Sequence, residues 1–163
     1  MAERLRLALT LYGRHGQTLR QHSDMRRQLA RLAQAATALS AHMAAVGLNT
    51  LCAACASSSG GGCCSAVIGD DCDMPLLLLN LLLGVDITCQ GNDPASCRFL
   101  GPSGCPFVAK PIFCLNYNCD KILQHAGRED METLERLVGQ TLGQQGQAEA
   151  LILDFLKENL DEE

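Results

Sequence analysis

Residues 73–84, DMPLLLLNLLLG, carry the clearest structural signal in the chain. Asp73 suits a helix N-cap, Pro75 suits the first turn and Gly84 suits the residue after the last turn, so this stretch predicts a helix. Its leucines lie on every side, and a helix that is apolar all round is stable only when it is covered. The run is too short to span a bilayer, which takes about 20 apolar residues. We therefore expect a helix buried on most sides by the rest of the chain.

The N-terminal part of the chain is predicted to form one long helix over residues 17–47. Apolar and small residues recur there at alternating spacings of four and three, the a/d pattern of a packed helix. Extended backwards, the pattern meets Gly13 and Gly16, and a glycine costs about 1 kcal/mol in a helix interior. A short helix over 2–12 followed by a bend is therefore an equal alternative, and Gly-Leu-Asn at 47–49 suits the end of the long helix. The stripe consists of Thr18, His22, Met25, Leu29, Leu32, Ala36, Leu39, Met43 and Val46.

Helices are also expected after the middle of the chain. Apolar residues recur at helical spacing over 128–142 and 147–160, and a further helix is expected from about 112 to Gly127. Residues 85–111 are rich in Gly and Pro and are expected to be irregular. Leu and Ala dominate the composition and aromatic residues are few, which favours helix over sheet. The predicted fold class is all-α.

The expected organisation is a single domain, 1–163, with a cysteine-rich centre. A helical arm over 1–49 precedes a cysteine-rich, irregular lobe over 50–122, and a second helical arm follows over 123–163. All ten cysteines lie between positions 52 and 119. Cysteines that served only as small core residues would be scattered among the helices as well. Their segregation indicates that the lobe carries the chemistry.

Charge is distributed unevenly between the two arms. The formal net charge of −5 gives no overall footprint for nucleic acid, so we expect no nucleic-acid partner. Arginines are in excess in the N-terminal arm, and acidic residues are in excess in the C-terminal arm. The simplest interpretation is that arms of opposite sign lie side by side. The alternative is that the arginine-rich arm binds an anionic partner.

The start of the chain bears on the redox compartment. MAERLRLALTLYGRHG begins with charge, but its apolar run is short and no small-residue cleavage site follows. We therefore predict a cytoplasmic protein with no membrane segment. Thiols are kept reduced in that compartment, so clustered cysteines favour metal or redox chemistry. A disulfide framework and a thioredoxin-type redox pair at 52–55 are the alternatives.

The cysteines form short groups whose spacing suits metal ligands. A Cys-x2-Cys turn presents two thiolates to one metal, and both tetrahedral zinc and iron–sulfur clusters take four thiolates. Side chains of adjacent residues diverge, so Cys63 and Cys64 suit two neighbouring metals or one polynuclear cluster. Cys72 and Cys89 stand apart and are interpreted either as ligands or as core residues. The groups are Cys52 with Cys55, Cys63 with Cys64, Cys97 with Cys105, and Cys114 with Cys119.

Basic residues accompany these cysteines. Arg98, Lys110 and Lys121 lie close in sequence to thiols of the lobe. A divalent metal with four thiolates is negatively charged, and these cations are placed to offset that charge. Ordinary surface solvation is the alternative.

The order of the cysteines resembles the zinc- or iron-chelating domain family, whose members carry Cys-x2-Cys followed by Cys-Cys. Residues 97–100, CRFL, are similar to its Cys-x-x-Leu segment, and Cys105 is similar to the cysteine that follows. Residues 110–117, KPIFCLNY, resemble its Arg-Pro-x-x-Cys-Arg-x-aromatic segment, with Lys and Leu in place of the arginines. SSSGGG at 57–62 looks like an insertion. The resemblance covers 50–120 and implies these ligands for an iron–sulfur cluster, such as 4Fe-4S, or for Zn²⁺: Cys52, Cys55, Cys63, Cys64, Cys97, Cys105, Cys114 and Cys119.

The sequence thus favours a metal-cluster binding protein with a role in redox chemistry or metal handling. One alternative is an interaction protein in which zinc is structural and the helical arms form a homo-oligomer. Another is a cluster-dependent enzyme whose reaction the sequence does not specify. No Ser-His-Asp pattern, P-loop or dinucleotide fingerprint is present in the sequence. His15 and His22, seven residues apart on the stripe, are interpreted as structural.

Overall fold

The computed structural model describes residues 1–56, 62–88, 91, 94–101 and 104–160. These residues form helices and two isolated β-bridges but no strand, so the all-α prediction is confirmed. Cys89 and most of the SSSGGG segment lie outside the described residues. The helices are α1 (Ala2–Gln21), α2 (Ser23–Ala45), α3 (Leu48–Ala56), α4 (Ala66–Gly69), α5 (Met74–Leu82), α6 (Ile112–Asn116), α7 (Asp120–His125) and α8 (Arg128–Leu160).

The central helix is α5, with the ends that its sequence predicts. The Asp73 carboxylate accepts a hydrogen bond from the backbone N–H of Leu76 at 2.9 Å and so caps the helix. Pro75 lies in the first turn, and Gly84 follows the last turn with φ +82°. Helix α5 packs against α1 and α8. Its buried residues are Leu76, Leu77, Leu78, Leu79, Asn80 and Leu82.

A buried amide joins α5 to the segment that leads into the cysteine-rich lobe. Asn80 is fully buried, and its Nδ2 donates to the carbonyl oxygens of Leu76 at 3.0 Å and Ala109 at 2.8 Å. Its Oδ1 accepts from the N–H groups of Val108 at 3.0 Å and Ala109 at 3.2 Å. Both hydrogens and both acceptor positions of the amide are used, as burial requires. The segment is therefore fixed against the core just before Lys110.

The N-terminal arm is two helices, α1 and α2, separated at His22. His22 has extended backbone angles, φ −61° and ψ 126°, so the predicted continuous helix is wrong at this residue. The predicted bend near Gly13 and Gly16 is also wrong, because both glycines lie inside α1. At Gly16 a Cβ would lie 2.7 Å from the Tyr12 ring, so this glycine makes room for the ring and does not bend the helix.

The C-terminal arm is the single helix α8, which corrects the prediction of two helices. Gly143 and Gly146 continue the helix because α8 packs along α2, and that packing outweighs the cost of the glycines. The Gln28 side chain donates to the Gln144 carbonyl at 2.8 Å, and the His42 ring bonds the Asp130 carbonyl at 2.9 Å. The stripe on α2 is thus covered within the chain. Its buried residues are Met25, Leu29, Leu32 and Leu39.

The elements of the lobe are short and differ in part from the prediction. Helix α2 ends just before Gly47, which has φ +75°, but α3 begins at once and continues to residue 56 where a loop was expected. The helix predicted over 112–127 is divided into α6 and α7 by extended residues at 117–119. Within the described residues, 85–111 contains no helix, as predicted.

In the described part of the chain no single helix is long and apolar enough to cross a membrane, although α2 and α3 together, bent by 85°, meet the length and composition criteria.

Candidate metal centre

The first cysteine pair lies on a helix. Cys52 and Cys55 are both in α3, and residues three apart lie on the same face of a helix. The expectation that the lobe is irregular from residue 50 is therefore wrong at this pair, because Ala53 and Ala54 between the two cysteines have the highest helix propensity. In a thioredoxin-type pair the cysteines lie at the N-terminus of a helix, where the helix dipole stabilises thiolates. Cys52 and Cys55 instead lie towards the C-terminal end of α3.

Beside this pair is a cleft of about 550 Å³ bounded by α3, α7 and residues 62–64. Leu51 and Ile122 give it apolar walls, and Tyr117, which stacks on Phe113 with ring centroids 4.7 Å apart, lies at its side. At Gly62 a Cβ would lie 2.8 Å from the Cys55 sulfur, so the backbone approaches that sulfur as closely as only glycine permits. The cleft is also lined by five thiols: Cys52, Cys55, Cys63, Cys64 and Cys119.

Four of these thiols form what we call the first thiol group: Cys52, Cys55, Cys63 and Cys119. Burial is the main reason that the pKa of Cys52 is raised, and the sulfurs of the other three members raise it further by charge repulsion. The Lys121 ammonium donates a hydrogen bond to the Cys55 sulfur at 3.5 Å. Helix α3, the residue that precedes α7 and the 62–64 segment thus each bring sulfur to the same cleft.

A short backbone pairing brings a second set of cysteines together. The N–H of Cys97 donates to the carbonyl of Cys64 at 2.9 Å, beside the antiparallel bridge between Ser65 and Ser96. We call Cys64, Cys97, Cys105 and Cys114 the second thiol group. Burial first, and then charge on Cys105 and Cys97, raises the pKa of Cys114 to about 11. Burial is likewise the main reason that the pKa of Cys97 is raised, with a contribution from Cys105.

The adjacent cysteines connect the two groups. The Cys64 thiol donates a hydrogen bond to the Cys63 sulfur, which lowers the pKa of Cys63 to about 6 and raises that of Cys64. Charge on Cys63 acts on Cys52 of the first group, whereas Cys64 is affected by Cys114 and Cys105 of the second. Charge on Cys63 also raises the pKa of Cys114, so Cys63 acts on both groups. Whether the adjacent cysteines serve two neighbouring metals or one polynuclear cluster stays a prediction.

The cations singled out in the sequence lie among these thiols. Lys110 lowers the pKa of both Cys52 and Cys114, partly offsetting their burial, so its charge acts on both thiol groups. The Gln145 side chain holds the backbone of Lys110 by accepting from its N–H at 3.0 Å and donating to its carbonyl at 3.1 Å. The charge of Arg98 likewise lowers the pKa of Cys97, partly offsetting the effect of burial. The positive charge in the lobe is therefore placed beside the sulfurs.

Cys72 is the least exposed of the described cysteines. Only 2% of its surface is exposed, and it belongs to the hydrophobic core around α5. Burial first, and then charge on Cys97, Cys114 and Cys105, raises its pKa to about 12. It therefore lies in the core against which Cys97 packs, a position that its isolation in the sequence did not reveal.

The donor set suits soft metals, but the side chains are not arranged as a finished coordination sphere. Within the described ranges, no three Cys, His, Asp or Glu side chains converge closely enough to hold a metal ion, and the nine described cysteines are free thiols. Coordination to zinc needs Zn–S distances of about 2.3 Å. Cys63, Cys105 and Cys114 are exposed, so their side chains are the least restricted by packing. An all-thiol donor set fits zinc or an iron–sulfur cluster better than a hard cation.

The two histidines that the sequence places seven residues apart lie in different parts of the fold. His15 packs edge-on against Phe155, with ring centroids 5.7 Å apart, and His22 is exposed at the break between α1 and α2. The two histidines are therefore in different surroundings. The cleft was missed in the sequence because residues far apart in the chain form it.

Comparison of the chain with protein-family models, with curated proteins and with solved structures finds no match.

Proposed function

We propose that this chain is a metal-binding protein whose lobe holds zinc or an iron–sulfur cluster through eight cysteine thiolates. The observation that carries the proposal is the gathering of those thiols, from α3, the 62–64 segment, the 97–105 segment and the 114–119 segment, into two adjacent groups. Packing alone does not explain why these thiols lie together. A small apolar residue would fill the same volume without repulsion between thiolates.

The surroundings of the thiols support the same proposal. Four thiolates around a divalent metal leave negative charge, and the side chains of Arg98, Lys110 and Lys121 supply positive charge next to the sulfurs. Residues 85–111 have no helix among their described positions and few backbone hydrogen bonds of their own. A bound metal would therefore contribute to the folding of the lobe as well as to its chemistry.

The cleft favours metal handling or redox chemistry over a purely structural metal. Its volume of about 550 Å³ far exceeds that of a metal ion, and it gives solvent and small molecules access to the first thiol group. The interaction alternative depended on an uncovered a/d stripe, and α8 covers much of that stripe in this fold. A cluster-dependent enzyme is the second candidate, since the same cleft could admit a small substrate beside the thiols.

Single Cys→Ser substitutions test the proposal. Cys52→Ser and Cys119→Ser remove ligands of the first group, Cys97→Ser removes a ligand of the second, and Cys89→Ser is the matched control because the family resemblance leaves it out. We expect each of the first three to lower metal content per folded chain and the control to retain it, measured by elemental analysis after anaerobic purification. Equal metal content in all four would contradict the proposed ligand set.

A further inference from the structure

A buried glutamine of α8 holds the backbone of Lys110, two residues before α6 begins. Gln145 is only 6% exposed. Its Oε1 accepts a hydrogen bond from the N–H of Lys110 at 3.0 Å, and its Nε2 donates to the Lys110 carbonyl at 3.1 Å. The Nε2 also donates to the Glu149 carboxylate at 3.0 Å, one turn further along α8. The amide is thus oriented by partners on both sides, as its burial requires.

The segment that leads into α6 is held by two helices at once. Asn80 of α5 accepts hydrogen bonds from the N–H groups of Val108 and Ala109, and Gln145 of α8 bonds both backbone groups of Lys110. Three successive residues of an irregular segment are therefore fixed by side chains from the core. The backbone before α6 has one position relative to α5 and α8.

Only Pro111 and the first turn of α6 separate this contact from Cys114. The proline ring restricts φ, which is −49° at Pro111. The Cys114 N–H donates to the Pro111 carbonyl at 2.9 Å, and α6 packs on α8. The place of the Cys114 backbone therefore follows from the place of Lys110.

Packing of α8 alone does not explain a glutamine at this position. An apolar side chain of similar length would fill the space without the cost of burying an amide. What the amide of Gln145 adds is a direct connection between α8 and the segment that carries Cys114 into the lobe.

We propose that Gln145 is a positioning residue of the metal site, which fixes the place of Cys114 from α8 through the backbone of Lys110. This inference rests on the proposed function, in which Cys114 is a ligand. A ligand that is held in place before the metal arrives loses less conformational freedom on binding. Gln145 thus raises the metal affinity without touching the metal.

The test compares two buried glutamines in the full chain. Gln145→Met fills similar space without the hydrogen bonds to Lys110. Gln28→Met is the matched control, because Gln28 is 5% exposed and its amide bonds Gln144, which connects α2 with α8 and not with the lobe. We expect Gln145→Met to bind Co²⁺ about 10-fold more weakly than the wild type in competition with a chelator, and Gln28→Met to match the wild type. If Gln145→Met binds Co²⁺ no more weakly than Gln28→Met, the inference is wrong and the proposed function still stands.

A double-mutant cycle tests whether Gln145 acts through Cys114. Cys114→Ser removes the ligand that Gln145 positions, so Gln145→Met should weaken Co²⁺ binding no further in that background. The same additional loss in both backgrounds would indicate a general structural effect and would overturn the inference. If Gln145→Met folds poorly, the cycle is measured with Gly143→Ala in every variant, because a Cβ at Gly143 meets no atom within 4 Å and alanine favours the helix. A wild-type chain that takes up no Co²⁺ would instead contradict the proposed function.

Discussion

Replacing Asn80 by Leu should destabilise the protein strongly, because the amide is the polar connection between α5 and the approach to the lobe. Leu has the same number of side-chain heavy atoms and the same branching, so the substitution chiefly removes hydrogen bonds. The N–H and C=O of the buried residue Ala109 both lose their partner in Asn80. A buried polar group left without a partner costs about 1–3 kcal/mol, so two such groups cost about 2–6 kcal/mol. For a chain of this size each kcal/mol lowers Tm by about 2–4 °C, so a cost in the middle of that range predicts a fall of about 8–16 °C.

The assay is thermal and urea unfolding followed by helical circular dichroism, with Asn159→Leu as the control. Asn159 is an exposed asparagine of α8, and exposed substitutions of this kind usually change stability by less than about 0.5 kcal/mol. Because the segment anchored by Asn80 carries Lys110, we also expect weaker metal binding in Asn80→Leu. A loss of stability below about 1 kcal/mol would refute the reasoning, since it would mean that the backbone of Ala109 finds other partners or water.

Three further predictions concern the helices. Burial raises the pKa of Glu149, so the folded protein is penalised for the ionised form and loses stability as the pH rises through that pKa. Glu149→Gln should therefore raise Tm at pH 7, with the gain vanishing below about pH 4; an equal gain at pH 3 would contradict the assignment. Gly16→Ala should destabilise α1, because the added Cβ would collide with the Tyr12 ring. Gly143→Ala has open space around its Cβ and should stabilise α8 by about 0.5–1 kcal/mol. Urea unfolding of both variants measures the two effects. Arg20→Ala removes two hydrogen bonds to the C-terminal carbonyls of α5 and should cost about 1–3 kcal/mol by the same measurement, and an unchanged midpoint would show that those carbonyls are otherwise satisfied.

The parts of the fold that the sequence predicts well are those determined locally. Asp73, Pro75 and Gly84 define α5 because capping, the first turn and the terminating conformation depend on a few adjacent residues. The a/d pattern of α2 identifies its buried face for the same reason.

Tertiary packing explains the errors. The break at His22 has no Gly or Pro signal, and it lies where α1, which packs on α5, gives way to α2, which packs on α8. Helix α8 continues through Gly143 because α2 supports it along its length. The lobe that was predicted to be irregular from residue 50 begins with a helix, because the helical preference of Ala53 and Ala54 prevails.

The candidate site was only partly predictable. Its residue types and order were evident, because ten cysteines confined to one segment are unusual. Their division into two groups was not, since it depends on pairings such as that of Cys64 with Cys97, which join distant parts of the chain. The place of Cys72 in the core depends on the packing of α1 and α5, and the spacing of the cysteines does not predict it.

The most direct test of the account is the metal and acid-labile sulfide content per chain of protein purified without oxygen or chelator, together with its absorbance spectrum. We expect either iron with sulfide and a brown colour, or stoichiometric zinc in a colourless protein, and in both cases thiols protected from alkylation until the metal is removed. Protein that contains neither metal and has few free thiols would contradict the central claim and indicate disulfides instead.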